Sequence, residues 1–298
     1  MRAVKIAYVT TCKGRLHHLA RTLPAAAAQD GVDCIVVDYG CPDGAGDWVR
    51  GRHPGVKVVR VTDDPGFNVA RARNLGAAAA QAEWLAFIDA DVLLAPDFFA
   101  QVAPGLSPGQ YFLPDSGEPS ALGSCLVERS AFLAVGGYDE AIRGWGGEDN
   151  DLYEALSLNG IRRAFYRGDL VAPIPHSDAE RTRYHGNKDI ERARWLNQVY
   201  RAMKFDVIRL LSRMPTLEER RHLRDMATRM VDEAAAPGDA RTPTQVNLPE
   251  RPIQTRSPSP HLPLPRLRCS LVYELAKPGD GRDEAQQAAP DAGDAAPG

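Results

Sequence analysis

Two carboxylates one residue apart, Asp89 and Asp91, follow the apolar run Trp84-Leu85-Ala86-Phe87-Ile88. Alternation in an extended segment points both side chains the same way. Such a pair repels itself, and a hard divalent cation, Mn2+ or Mg2+, relieves the repulsion while bridging to phosphate oxygens. A solvated acidic turn carries the same letters; the buried run that delivers this pair argues against it. Upstream, Thr10-Thr11-Cys12-Lys13-Gly14-Arg15 offers two hydroxyls, a glycine that permits close backbone approach, and an arginine able to grip a diphosphate bidentately. A plain strand-to-helix loop with a surface arginine fits those residues too. Asp38 ends another apolar run, placed either to accept from a base imide N–H or to cap a turn before Gly40.

The sharpest signal is Gly144-Trp145-Gly146-Gly147-Glu148-Asp149-Asn150-Asp151. Glycines around a tryptophan let the backbone approach a ligand and free the indole to pack on the apolar face of a sugar. Glu148, Asp149 and Asp151 fall in the first turn of an expected helix, where acids are favoured by the macrodipole alone. Asp149, however, shares a face with Leu152 and Leu156, so it belongs at a pocket rim rather than in bulk solvent. Transfer with inversion at an anomeric carbon needs one base to take the acceptor's hydroxyl proton. Asp149 is assigned that role and Glu148 the binding of the acceptor, with an exchange of the two left open. The helix N-terminus is expected to lower the pKa of Asp149. His176, in Pro173-Ile174-Pro175-His176-Ser177, arrives on a stiffened loop suited to a metal ligand, with His185 as its competitor.

Strand-like and helical patterns alternate through the first half, which predicts a largely parallel sheet covered by helices. Strands are expected at Lys5–Val9, Cys34–Val37, Val56–Val61, Trp84–Ile88, Ser124–Glu128 and near Arg162–Tyr166. Helices are expected around Leu16–Ala28, Val69–Ala82, Glu148–Asn159, Asp189–Met203 and Leu217–Ala235. The runs 34–37 and 84–88 are almost wholly apolar, as in central strands buried on both faces. Three strand ends then carry Thr10–Arg15, Asp38 and Asp89–Asp91, where ligands of open α/β sheets bind. Eleven of the 23 prolines lie from Pro237 onward, among Ala, Gly, Ser and Asp, and disorder is expected there. Within that tail, Cys269–Leu275 is the stretch able to dock as a strand or short helix.

A formal net charge of -3 over 298 residues gives no reason to expect nucleic-acid binding. Five scattered cysteines without a CxxC pair point to reduced thiols rather than a disulfide scaffold or zinc site. No signal-peptide pattern or membrane-spanning run is visible, so a cytoplasmic location is expected, with peripheral membrane association left open.

Taken in order, TTCKGR at 10–15, VVDYG at 36–40, FNVARARNLG at 67–76, FIDADVLL at 87–94 and GGYDEAIRGWGGEDNDL at 136–152 resemble the family 2 glycosyltransferases of GT-A fold. The likeness spans roughly residues 4 to 180. It is strongest to the branch holding β-1,4-galactosyltransferases and chondroitin polymerases. The resemblance implies a UDP-sugar donor, a carbohydrate or glycoconjugate acceptor, and Mn2+ or Mg2+. It places Thr10, Thr11, Arg15, Asp38, Phe67, Arg73, Asp89, Asp91 and Trp145 in the donor site, with Trp145 also touching the acceptor sugar. It makes Asp91 and His176 the protein's metal ligands, and Glu148 and Asp149 the acceptor and base residues. Pro173 stands where the galactosyltransferases carry another metal ligand, and Arg143 replaces an aromatic beside their acceptor pocket. The expected organisation is a GT-A catalytic domain over residues 1–205, with a donor half to about 95, a helical extension over 206–236 and the tail over 237–298. A non-catalytic nucleotide-sugar-binding or scaffold protein is the alternative from another class. A dehydrogenase lacks its GxGxxG, and a nucleotidyltransferase lacks its Gly-rich loop with downstream lysine.

Overall fold

Ile6–Cys12 (β1) alternates its side chains between two apolar layers: Ile6 and Tyr8 enter one, Ala7 and Val9 the other. Burial on both faces is why this run lies in the interior of a sheet. The computed structural model describes residues 4–116, 123–186, 188–235, 243–248, 251–252, 266–267 and 269–275. After β1 come Leu16–Ala27 (α1), Val32–Asp38 (β2), Ala45–Arg52 (α2), Lys57–Arg60 (β3), Val69–Ala79 (α3), Trp84–Phe87 (β4) and Val92–Leu94 (β5). Phe98–Val102 (α4), Gln110–Asp115 (β6), Cys125–Glu128 (β7), Arg129–Ala134 (α5), Glu148–Leu158 (α6), Arg162–Arg167 (β8) and Val171–Pro173 (β9) follow. Asp178–Thr182 (α7), Ile190–Leu211 (α8) and Leu217–Ala235 (α9) are helical.

The main sheet has seven strands in the order β3-β2-β1-β4-β7-β6-β8. The β1–β2, β2–β3, β1–β4 and β6–β8 pairs are parallel, whereas β7 runs antiparallel to both β4 and β6. This is the expected α/β architecture, a mostly parallel sheet flanked by helices. One apolar layer packs α1 residues Leu19 and Leu23 with Phe98 and Phe99 against the sheet. The other packs Ala70 and Ala77 of α3 with Leu152 and Leu156 of α6. Helix α3 lies close: a Cβ built on Gly76 would stand 2.3 Å from Val9 Cγ1.

β1 extends to Cys12, beyond the expected end at Val9, because Thr10 and Thr11 pair in register with Val36 and Val37. Helix α8 runs to Leu211 rather than Met203, its added turns burying Lys204, Phe205 and Val207. A short antiparallel pair, β5 with β9, lies outside the main sheet and was not foreseen.

By its contacts the chain divides into two compact units, Met1–Arg224 and Asp225–Gly298. In the second, Thr244–Asn247 (β10) pairs antiparallel with Ser270–Tyr273 (β13), and Arg251–Pro252 (β11) with Arg266–Leu267 (β12). The stretch expected to dock within the tail thus docks as a strand. The expectation of disorder falls for these residues, and the rest of the tail lies outside the described residues. Among the described residues, no helix is long and apolar enough to cross a membrane.

Candidate active site

The β5–β9 pair assembles the site. Val92 stands opposite Pro173, and Ile174 N–H donates to the Asp91 carbonyl at 2.7 Å. The chain leaving β9 therefore carries His176 back to the acidic strand end, and His176 Nε2 lies 3.4 Å from Asp91 Oδ2. His176 Nδ1 is 3.0 Å from the Ile174 carbonyl. That contact fixes the tautomer with its proton on Nδ1, leaving the Nε2 lone pair for another partner. Here Nε2 accepts from Arg181 Nε at 3.2 Å. Arg15, at the start of α1, holds Asp91 Oδ2 at 2.5 Å. Burial and the neighbouring Asp89 raise the Asp91 pKa, partly offset by Arg15 and His176.

On the other side of the cavity, Arg73 of α3 gathers the remaining acids. Its guanidinium, 3% exposed, donates to Asp149 Oδ1 at 2.6 Å, Asp89 Oδ1 at 2.8 Å and Glu148 Oε1 at 3.3 Å. Burial disfavours its cation, but the surrounding acidic groups, Asp149 foremost, outweigh burial and keep it charged. The Tyr138 ring lies 4.9 Å from the guanidinium carbon. Helix α3 is aimed by its own polar residues. Asn68 caps it by accepting from Arg71 N–H at 3.0 Å, and Asn74 exchanges hydrogen bonds of 2.9 Å with the Tyr138 backbone.

Gly147, at φ +96°, turns the chain into α6. Glu148 is buried, with Oε2 lacking a hydrogen-bond partner among the described residues. Burial and the adjacent Asp149 push its pKa up to about 8. Asp149 is also raised by burial, against the pull of Arg73. This reverses the expected lowering by the helix N-terminus, because burial disfavours the carboxylate and Asp89 adds to it. Asp149 shares its helix face with the buried Leu152 and Leu156, as the periodicity requires. A Cβ at Gly123 would lie 3.0 Å from Asp89 Oδ2 and 3.3 Å from Asp149 Oδ2, so only glycine leaves that corner open.

These groups line one cavity of about 910 Å³. Of the residues singled out in the sequence, it brings together Thr11, Arg15, Phe67, Arg73, Asp89, Asp91, Trp145, Glu148, Asp149 and His176. Thr10 and Asp38 are not in that lining. Thr10 is buried within the sheet. Asp38 Oδ1 accepts from Cys41 N–H at 2.8 Å, its Oδ2 accepts from Gly46 N–H at 3.1 Å, and Arg60 stands 3.4 Å away. Of its two readings, the geometry displays the turn cap. His185 also faces the cavity, 5.8 Å from the Phe67 ring, with its pKa pushed down to about 4 by burial and by Lys188 and Arg15. His176, not His185, meets Asp91.

Trp145 does not present a bare indole. The Arg194 guanidinium lies 4.7 Å and that of Arg181 6.0 Å from its ring. Arg143 is 58% exposed and 3.8 Å from Asp64. Arg181, Arg194 and Tyr138 were not anticipated as part of the site; only their arginine-rich and GGYDE contexts hinted at them. A further set of three side chains whose ligand atoms lie within 4.8 Å of one another is His17, His18 and Glu180.

Residues 8–111 match the profile of glycosyl transferase family 2, and residues 114–178 match the profile described as the N-terminal domain of galactosyltransferase. Together with the fold, these matches support a GT-A glycosyltransferase. Validoxylamine A glucosyltransferase of Streptomyces hygroscopicus subsp. jinggangensis is 28% identical, over 53% of this chain and 52% of its own. The chain thus spans about half the length of the curated relatives it matches. Among solved structures, S. aureus TarS 1–349 in complex with UDP-GlcNAc is similar at a TM-score of 0.53 and 13% identity. That similarity covers 78% of this chain and 74% of that one. The mannosyltransferase PcManGT from Pyrobaculum calidifontis, in complex with GDP-Man and Mn2+, reaches 0.50 at 17% identity over 79% of this chain and 76% of its own.

Proposed function

We propose that this protein is an inverting, metal-dependent glycosyltransferase. It moves a sugar from a UDP-sugar to a hydroxyl of a carbohydrate or glycoconjugate acceptor. The observation that carries this reading is the convergence of Asp91 and His176 on one side of a single cavity with Glu148 and Asp149 on the other. The family profile matches support transfer of a glycosyl group, and the Mn2+ and nucleotide-sugar complexes of the structural neighbours support the donor and the cation.

The residues present fit a divalent cation. A carboxylate oxygen of Asp91 and an imidazole nitrogen of His176 only 3.4 Å apart are close enough that both would hold one small, hard cation. The Nδ1 contact with Ile174 also leaves Nε2 as the donor atom such an ion needs. Mn2+ or Mg2+ held there by Asp91 and His176 would supply charge stabilisation to a departing nucleoside diphosphate. Arg15 and Arg181, now satisfied by Asp91 and His176, carry forks able to turn onto phosphate oxygens. Thr11 and Phe67 line the donor side.

Glu148 and Asp149 divide the acceptor chemistry by their surroundings. With a pKa of about 8, Glu148 keeps its proton at neutral pH and can donate to an acceptor oxygen. Asp149 shares its charge with the Arg73 guanidinium, and a carboxylate made more basic by burial is better suited to take the hydroxyl proton.

The test pairs binding with turnover. Over a panel of UDP-sugars and acceptors with Mn2+, Asp149→Asn should lower turnover by about 10²- to 10⁴-fold while calorimetric UDP–Mn2+ affinity persists. EDTA and Asp91→Ala should both abolish turnover. Full activity in either condition would overturn the metal role, and UDP–Mn2+ binding without turnover on any acceptor would favour a non-catalytic binder.

A further inference from the structure

Two of the five thiols meet. Cys12, the last residue of β1, and Cys41, in the loop between β2 and α2, have their Sγ atoms 3.9 Å apart. Cys41 Sγ also accepts from Gly14 N–H at 3.1 Å. Cys12 is fully enclosed, while Cys41, 9% exposed, sits in a turn whose Gly40, Pro42 and Asp43 face solvent.

We propose that Cys41 is a peroxide-reactive thiolate with Cys12 as its resolving thiol, forming an oxidative modification site in the loop that carries Lys13 and Arg15. The surroundings favour the anion in a particular order. The contact with the Cys12 sulfur comes first, burial opposes it, and the N–H groups of Gly14, Asp43 and Ala45 at the start of α2 add to it, leaving the Cys41 pKa at about 6. The geometry separates the two sulfurs: Gly14 N–H points at Cys41 Sγ, and Cys41 lies nearer solvent, while Cys12 is fully enclosed and its thiol is pushed up.

The chemistry balances with hydrogen peroxide as oxidant. The Cys41 thiolate attacks one peroxide oxygen, the O–O bond breaks, and the other oxygen leaves as hydroxide and is protonated to water. Cys41 is then a sulfenic acid. The Cys12 sulfur attacks that sulfur, the S–S bond forms, the S–O bond breaks, and a second water leaves carrying the Cys12 proton. In total two thiols are oxidised by two electrons and one peroxide is reduced to two waters.

A disulfide is only about 2.05 Å long, so the two sulfurs must approach by nearly 2 Å, through side-chain rotation, loop movement or both. The loop after β1 has little slack. A Cβ at Gly14 would strike the Tyr184 ring, and the next residue, Arg15, is fixed on Asp91. Any share of that approach taken by the loop after β1 shifts Arg15 on the acidic cluster. This consequence rests on the nucleotide-sugar reading of the cavity.

The whole chain, reduced and then treated with peroxide, should yield a Cys12–Cys41 linkage in peptide mass spectra, reversed by dithiothreitol. Cys12→Ser should instead give a dimedone-trapped sulfenic acid at Cys41. Calorimetry should show UDP–Mn2+ affinity falling at least about tenfold on oxidation of the native chain and unchanged by peroxide in Cys41→Ser. Absence of the linkage, or oxidation of Cys34, Cys125 or Cys269 before Cys41, overturns the proposal. A reduced protein that does not bind UDP would sink the functional reading, while the linkage map would still decide this one.

Discussion

At neutral pH the Glu148 carboxyl holds its proton because α6 delivers it into a dry corner beside Asp149. In an unfolded chain the same group ionises near its ordinary 4.5, whereas in the folded protein it ionises at about 8. Between those values the folded state binds more protons than the unfolded one. The stability Glu148 contributes is therefore complete below about 4.5 and is lost as pH rises through about 8. Urea melts in the absence of divalent cations should show wild-type stability declining between about pH 5 and about pH 8. The decline should be distinctly shallower in Glu148→Gln. Parallel declines in the two proteins would contradict the buried, protonated state. Arg73 is the other residue whose meaning lies in its neighbours: three acids from two separate motifs meet on one guanidinium, and no spacing rule connects residue 73 to residues 89 and 148.

Among the elements, α8 has a structural task the cavity lining does not reveal. Its Lys204, 1% exposed, bridges Asp139 at 3.0 Å and Asp151 of α6 at 2.5 Å, and Tyr200 donates to Asp139 at 2.6 Å. The bridge holds the first turn of α6, and so Glu148 and Asp149, against the GGYDE loop. Replacing Lys204 by Met leaves two buried carboxylates without their ammonium. That should cost about 3–5 kcal/mol of unfolding free energy, read as a lowered denaturation midpoint. A midpoint within experimental error of wild type would remove the bridge from the account. The elements that were legible in the sequence were those with strong apolar patterns: β2, β4, α3 and α6 lie close to where their runs and periodicity put them. Helix α2 was not legible, because AGDWVRGR carries two glycines and only a weak apolar stripe. The three-residue strands β5 and β9 were not legible either, since each exists only through the other. The motif residues Asp91, Asp149 and His176 are legible by type and order, and the resemblance implies that Asp91 and His176 meet; what the sequence does not carry is the β5–β9 pairing that brings them together. Asp38 carries two readings in the sequence, and its oxygens here meet the Cys41 and Gly46 N–H groups, with Arg60 beside them.

For the molecule as a whole, all residues lining the cavity lie within the unit Met1–Arg224. A fragment ending at Ala236, which keeps α9 entire, should fold cooperatively and bind UDP–Mn2+ as the full chain does. Calorimetry on the two proteins checks this, and a large loss of affinity in the fragment would give the tail a part in binding. The close seat of α3 on β1 has one more implication. Gly76 touches no part of the cavity, yet it sets the height at which this helix rides over Val9. Adding a single methyl there would lift the whole rod, and Arg73, one turn earlier, would rise with it and loosen its grip on three acids together. Gly76→Ala should therefore slow turnover by up to about a hundredfold with little change in nucleotide affinity, a lesion in alignment transmitted by a helix acting as a lever.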